Sequence, residues 1–115
     1  MIQWATLTDP VEVHDLTALS FEQPCLIFKH STSCSISAIA KYRLESDWDF
    51  PAAELKPYLL DLLAHRNLSR MIAEHFDVHH ESPQVLLIKG GICTYDTSHL
   101  DISVDELHEC YESKF

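Results

Sequence analysis

Apolar residues change their period along this chain, and the changes mark out its elements. Cys25-Leu26-Ile27-Phe28 and Val85-Leu86-Leu87-Ile88 are continuous apolar runs with polar or turn residues on either side, as in strands buried on both faces. Ile2 to Leu7 alternates weakly and predicts a short first strand. Tyr58 to Leu63 predicts a further inner strand starting after Pro57, whose ring would break any helix through Ala52 to Ala64. Helical spacing joins Leu16 to Leu19, then Ile36, Ile39, Ala40, Leu44 and Trp48. The same spacing joins Leu68, Met71, Ile72, His75 and Phe76, and finally Val104, Leu107, His108 and Tyr111. Asp9-Pro10 with Glu12, Asn67, and Ser103 with Glu106 supply the expected helix starts. Asp47 to Pro51 ends the second helix, and Gly90-Gly91 turns a hairpin into Ile92 to Thr97.

The resulting order is βα, βα, βα, then a hairpin and a closing helix. It implies an α/β domain with a mixed sheet covered by helices on both faces. One domain is expected from 115 residues, and 46% apolar against 23% charged residues argues against disorder. The formal charge is −10, with no run of Lys and Arg to relieve it, which excludes nucleic acid and anionic membranes as natural partners. Solubility is the simpler meaning of this acidity. The start MIQWATLTDP lacks the basic and apolar regions of a secretory signal, and no apolar run is long enough to span a membrane, so a cytoplasmic location is expected. Cys25, Cys93 and Cys110 read as small buried or half-buried hydrophobes, and without a Cys-x-x-Cys pair a four-thiolate zinc site has no support.

Cys34 differs from these three. It follows the polar loop Lys29-His30-Ser31-Thr32-Ser33 and directly precedes a helix, where free backbone N–H groups and the positive end of the helix dipole favour a thiolate. A buried structural cysteine is the competing reading. Lys29 and His30 could add positive field near the sulfur or near a substrate carboxylate, or His30 could be a simple surface group. Ser31, Thr32 and Ser33 could bond the sulfur or merely shape the loop. His75, His79, His80 and Glu81 are the only cluster of metal-ligand types, but His75 belongs to an inward stripe and no fourth ligand is near, so no metal is expected. His99 could cap a helix or line the site. Paired-carboxylate chemistry and the common nucleotide-binding and hydrolase motifs have no candidate here.

The phrases FKHST-x-C-x-IS, HESPQVLLIKGG and SHLDIS, spread over nearly the whole chain, resemble the YtxJ-type family of the bacillithiol system, the monothiol bacilliredoxins. The resemblance implies a thioredoxin-like fold, with a central mixed β-sheet of four to five strands flanked by helices on both faces. It further implies a cis Pro83 facing Cys34, although only about 5–6% of X–Pro bonds are cis in general. In the family a proline usually follows the cysteine, and this chain has Ser35 there.

In Cys34-Ser35-Ile36-Ser37 the place of a second, resolving thiol is taken by Ser37, so the expected chemistry is monothiol exchange. Cys34 is the expected nucleophile, with Lys29, His30, Thr32, Ser33, Ser35, Ser37, Ser82 and Pro83 around the substrate. No tightly bound cofactor is implied. The cosubstrate is a low-molecular-weight thiol, by resemblance bacillithiol, and the partners are S-thiolated proteins. Two other readings stand beside this one: a non-catalytic adaptor that binds a protein at the Ser82-Pro83 edge, and a peroxide sensor acting through a sulfenic acid at Cys34.

Overall fold

A computed structural model describes residues 2–112. Its five strands are β1 (Ala5–Thr6), β2 (Cys25–His30), β3 (Lys56–Asp61), β4 (Gln84–Lys89) and β5 (Ile92–Ser98). They form one mixed sheet in the order β1-β3-β2-β4-β5. The helices are α1 (Pro10–Leu19), α2 (Ser35–Asp47), α3 (Arg66–His75) and α4 (Val104–Glu112), with a single 3₁₀ turn at His99–Asp101. All six residues of β2 are buried, because this strand pairs in parallel with β3 on one side and antiparallel with β4 on the other. Alternation along β2 then sorts its side chains between two cores. Cys25 and Ile27 pack with Val13 and Leu16 of α1 and Leu68 and Ile72 of α3. Leu26 and Phe28 pack with Ala40 and Leu44 of α2 and with Val104 and Leu107 of α4. The sheet and its two helical layers are those the sequence predicts.

Several boundaries differ from the sequence reading. β1 is only Ala5–Thr6, pairing with Tyr58 and Leu59, while Ile2 is buried outside it. β3 starts at Lys56 and contains Pro57. No β1 residue pairs with Pro57, so its missing N–H breaks no ladder on that side. The strand stops at Asp61 and not at Leu63, because the Asp61 carboxylate accepts hydrogen bonds from the N–H groups of Leu63 (3.1 Å) and Ala64 (3.4 Å). That turn winds the chain into α3 one residue ahead of Asn67. His65 holds the cap position and makes no side-chain capping bond, so Asn67 is not the cap. The second helix buries Ser37, Ala40 and Leu44, which leaves Ile36 and Ile39 exposed where the spacing had placed them inward. His75 is also exposed, bonded to Thr17 Oγ1 at 3.1 Å and edge-on to His14.

Asp9 caps α1 as expected, accepting from Val11 N–H at 2.8 Å, but Glu12 turns back to the N–H and hydroxyl of Thr8. Ser103 Oγ accepts from Glu106 N–H at the start of α4. The Gly90-Gly91 turn is tied to the end of α1, with Gly90 N–H bonded to Ser20 O and Gly91 N–H to Ser20 Oγ, both at 2.8 Å. Both glycines have positive φ, +59° and +81°, as a two-residue hairpin turn of this type requires. A Cβ on Gly91 would lie 2.7 Å from the ring of Phe21, which is exposed enough to swing aside. Gly91→Ala is therefore expected to cost about 1–2 kcal/mol, mainly from the left-handed backbone, as measured by urea unfolding.

Candidate active site

Three chain segments leave the sheet at the C-terminal end of β2. His30 pairs with Asp61 of β3, and Lys29 pairs with Gln84 of β4, so Pro83 stands one step beyond the antiparallel ladder at the level of His30. Leu62 N–H donates to His30 O at 2.9 Å and holds the exit of β3 against that of β2. The loop carrying Cys34, the β3–α3 connection and the segment ending in Ser82-Pro83 therefore start side by side.

Cys34 is half-buried and occupies the N-cap position of α2 with extended backbone angles (φ −109°, ψ 123°). Its N–H donates to Ser31 O at 3.2 Å, closing the loop, and its carbonyl accepts Ala38 N–H at 3.1 Å, starting the helix. No side chain caps α2, and its first turn carries no acidic residue. The first-turn N–H groups and the positive end of a 13-residue helix thus adjoin Cys34, with no acidic side chain in that turn. Thr32, Ser33 and Ser35 are exposed around it, while Ser31 is buried.

Ser37 does not face a substrate. It is fully buried, accepts Ser31 N–H at 2.9 Å, and shares a 2.7 Å hydrogen bond with His30 Nδ1. Burial first, and then Lys41, push the pKa of His30 down. In the Nε2–H tautomer the serine hydroxyl donates to His30. His30 also stacks on Phe28, with ring centroids 5.6 Å apart, so the imidazole acts as an interior post under the loop.

Lys29 points to the opposite side of the sheet. Its side chain is fully buried, and Nζ donates to Ser69 O and to His80 Nδ1, each at 3.2 Å. Burial lowers its pKa from 10.5 to about 8. The ammonium can only donate, so the acceptor nitrogen of His80 carries no proton. This anchors the segment leading to Pro83 from below.

Ser82-Pro83 is a cis peptide, and Pro83 is buried. Gln84, which sequence reasoning passed over, is fully buried and braces the same segment. Its Nε2 donates to His79 O at 2.9 Å, and its Oε1 accepts Glu81 N–H at 3.4 Å. A polar residue opening an apolar strand was the available signal. His99, at φ +56°, donates its N–H to Pro83 O at 3.0 Å, and its ring lies 3.8 Å from Glu81 Oε1. It therefore ties the end of β5 to the proline loop. Among the described residues, His75, His79, His80 and Glu81 form no group able to hold a metal ion.

Cys25, Cys34 and Cys93 are free thiols. Burial pushes the thiols of Cys25 and Cys93 up to about 11. Cys110 is also raised, by burial first and then by Glu106 and Glu109. Of the four, only Cys34 stands at a helix start beside open N–H groups.

Ser37→Ala leaves Ser31 N–H and His30 Nδ1 without their buried partner, and is expected to lower the unfolding free energy by about 1–3 kcal/mol in urea titrations. Lys29 gives a pH signature. Between about 8 and its ordinary value of 10.5, the unfolded chain holds a proton that the folded lysine has released, so this residue makes stability rise with pH across that window. The stability of wild type relative to Lys29→Met should therefore increase from pH 8 to pH 10.5 and stay flat below it.

Two kinds of relative fit this arrangement. A solved structure described as a candidate oxidoreductase with a thioredoxin fold is 28% identical, covering 93% of this chain and 92% of its own, with a TM-score of 0.76. Thioredoxin from Malassezia sympodialis is 12% identical, covering 96% of this chain and 90% of its own (TM-score 0.74). A thioredoxin variant from Halobacterium salinarum is 14% identical, covering 98% and 94% (TM-score 0.69), and like the previous one it shows the shared fold alone. The family model for the monothiol bacilliredoxin BrxC matches residues 5–107, a span that includes the Cys34 loop, the proline loop and the Gly-Gly hairpin. On that match, the chain belongs to the monothiol bacilliredoxin family.

Proposed function

We propose that this protein removes a low-molecular-weight thiol, bacillithiol by family, from S-thiolated proteins by monothiol exchange at Cys34. The Cys34 thiolate attacks the small-thiol sulfur of the mixed disulfide, and the bond to the protein sulfur breaks. The target protein leaves as a thiolate, which takes up a proton. A second molecule of the small thiol then attacks the sulfur bonded to Cys34, which releases the symmetric disulfide and restores Cys34. Reduction of the target is balanced by oxidation of the small thiol.

The observation that carries this reading is the contrast between Cys34 and Ser37. Cys34 is half-exposed at an uncapped helix start, and Ser37, in the resolving position, is a buried hydroxyl committed to His30 and Ser31. Negative charge on Sγ would lie at the positive end of α2. Exposed Ile36 and Ile39, on the same helix just behind Cys34, give apolar surface that suits a protein substrate better than a small thiol alone. Ser82 lies on the other flank, next to the buried Pro83 and open to pairing with an extended substrate backbone.

A target protein carrying bacillithiol as a mixed disulfide provides the test. Intact mass should show the adduct move to this protein as a single addition mapping to Cys34, with the target thiol restored. Cys34→Ser should reduce transfer to background, whereas Cys93→Ser and Cys110→Ser should leave it intact. An adduct on Cys93 or Cys110, or tight target binding with no transfer, would sink the proposal, the latter in favour of an adaptor.

A further inference from the structure

In sequence the eight Lys and Arg residues are scattered through a chain of net charge −10. Folding gathers three of them, Lys29, Arg66 and Arg70, around one cavity of about 800 Å³ that runs along α3. Arg66 and Arg70 are four residues apart and share a helix face. Both are exposed, and among the described residues neither makes an ion pair or hydrogen bond. α3 has no side-chain cap and no acidic residue in its first turn, so its N–H groups are open at the same end.

Lys29 lies directly behind the wall. Both of its partners, Ser69 and His80, line the cavity, and among the described residues no carboxylate pairs with it. Its depressed pKa reflects a buried cation short of a counter-charge. Leu62, Leu63 and Val78 give the same space apolar walls. The acidic lining, Glu74 and Asp77, lies at and beyond the C-terminal end of the helix. At 1.5 Å per residue Glu74 is about 6 Å along the axis from Arg70, on the same face, and about 12 Å from Arg66, so Arg66 is the guanidinium farther from a carboxylate. The basic end adjoins the catalytic edge, because Leu62 is bonded to the end of β2.

We propose that this cavity is a binding site for the carboxylates of a small organic acid. This rests on the exchange reaction above only where the ligand is a cosubstrate thiol that itself carries carboxylates. The two guanidinium groups offer paired donors matched to carboxylate geometry, and the apolar walls accept a short carbon skeleton. Anion binding would also supply the charge that Lys29 and His80 lack, so it should be accompanied by proton uptake.

The test uses the full chain in two arms. In the first, succinate and, separately, inorganic phosphate are titrated by NMR at constant ionic strength, with chloride as the control. Saturable shifts at the amides of Arg66, Arg70 and His80 are expected with succinate. Cys34→Ser should retain them, and Arg66→Gln/Arg70→Gln, which changes only exposed side chains, should weaken them about tenfold or more. Binding that is absent, unchanged in the double variant, or equal for phosphate would overturn a carboxylate site. In the second arm, KM is measured for a carboxylate-bearing disulfide and for the neutral disulfide of mercaptoethanol. In the double variant the ratio of acidic to neutral KM should rise about tenfold, and an unchanged ratio would overturn the link to the cosubstrate. Loss of turnover with both disulfides in wild type, with succinate binding intact, would instead refute the exchange reading and leave the site standing.

Discussion

The hydroxyl of Ser37 is the interaction on which the site depends. His30 ends the central strand, Ser31 opens the loop, and Ser37 lies in the first turn of α2. Its single oxygen bonds the other two inside the protein. None of these groups can trade its partner for water without a penalty, so the loop between them is closed at its base. Cys34 rides on that closed loop, and its own N–H adds the Ser31 carbonyl as a second tie. The residue that makes the motif monothiol is therefore also the residue that makes the loop rigid. A thiol at this position would supply a resolving sulfur, but it would be a weaker hydrogen-bonding partner for both neighbours.

The sheet then sorts chemistry by alternation. His30 falls on the α2 face and stays with the cysteine loop, while Lys29, one residue earlier, falls on the α3 face and meets His80. Adjacent in sequence, they cannot act on the same group. On the sequence reading, Lys29 and His30 could add positive field near the sulfur or near a substrate carboxylate; the geometry keeps the two on separate faces, and His30 is an interior group and not a surface one. The thiols are sorted as well, since burial keeps Cys25 and Cys93 protonated while Cys34 stands at the rim.

Continuous apolar runs made the inner strands legible, and the Cys34 loop followed from the switch of period behind it. The architecture of a sheet between two helical layers was readable for the same reason. What the sequence hid were choices made by tertiary partners. Pro57 looked like a strand boundary because its neighbours across the sheet were unknown, and a two-residue β1 is what makes room for it. Asn67 looked like a cap, but the Asp61 carboxylate had already turned the chain. Ile36 and Ile39 fit a helical stripe as well as Ala40 and Leu44 do. Only docking of α2 on Phe28 and its neighbours decides which of them faces in. For the site, residue types identified Cys34, but nothing local could show that Ser37 and Lys29 would be consumed by interior bonds.

The limit of the core and the position of the site are set by the same rung of the sheet. Lys29 and Gln84 are paired across β2 and β4 on the face shared with Ile27 and Leu86, and both are fully buried. Each reaches beyond the last apolar row to the segment that precedes Pro83, Lys29 through His80 Nδ1 and Gln84 through His79 O. A pair of long polar side chains at this level can be buried only if something above it accepts their hydrogen bonds. The segment from His79 to Ser82 supplies those acceptors and is held in return. The proline loop is thus anchored by a polar requirement of the core beneath it, which explains how a stretch with no regular secondary structure can hold a fixed place at the C-terminal end of β2.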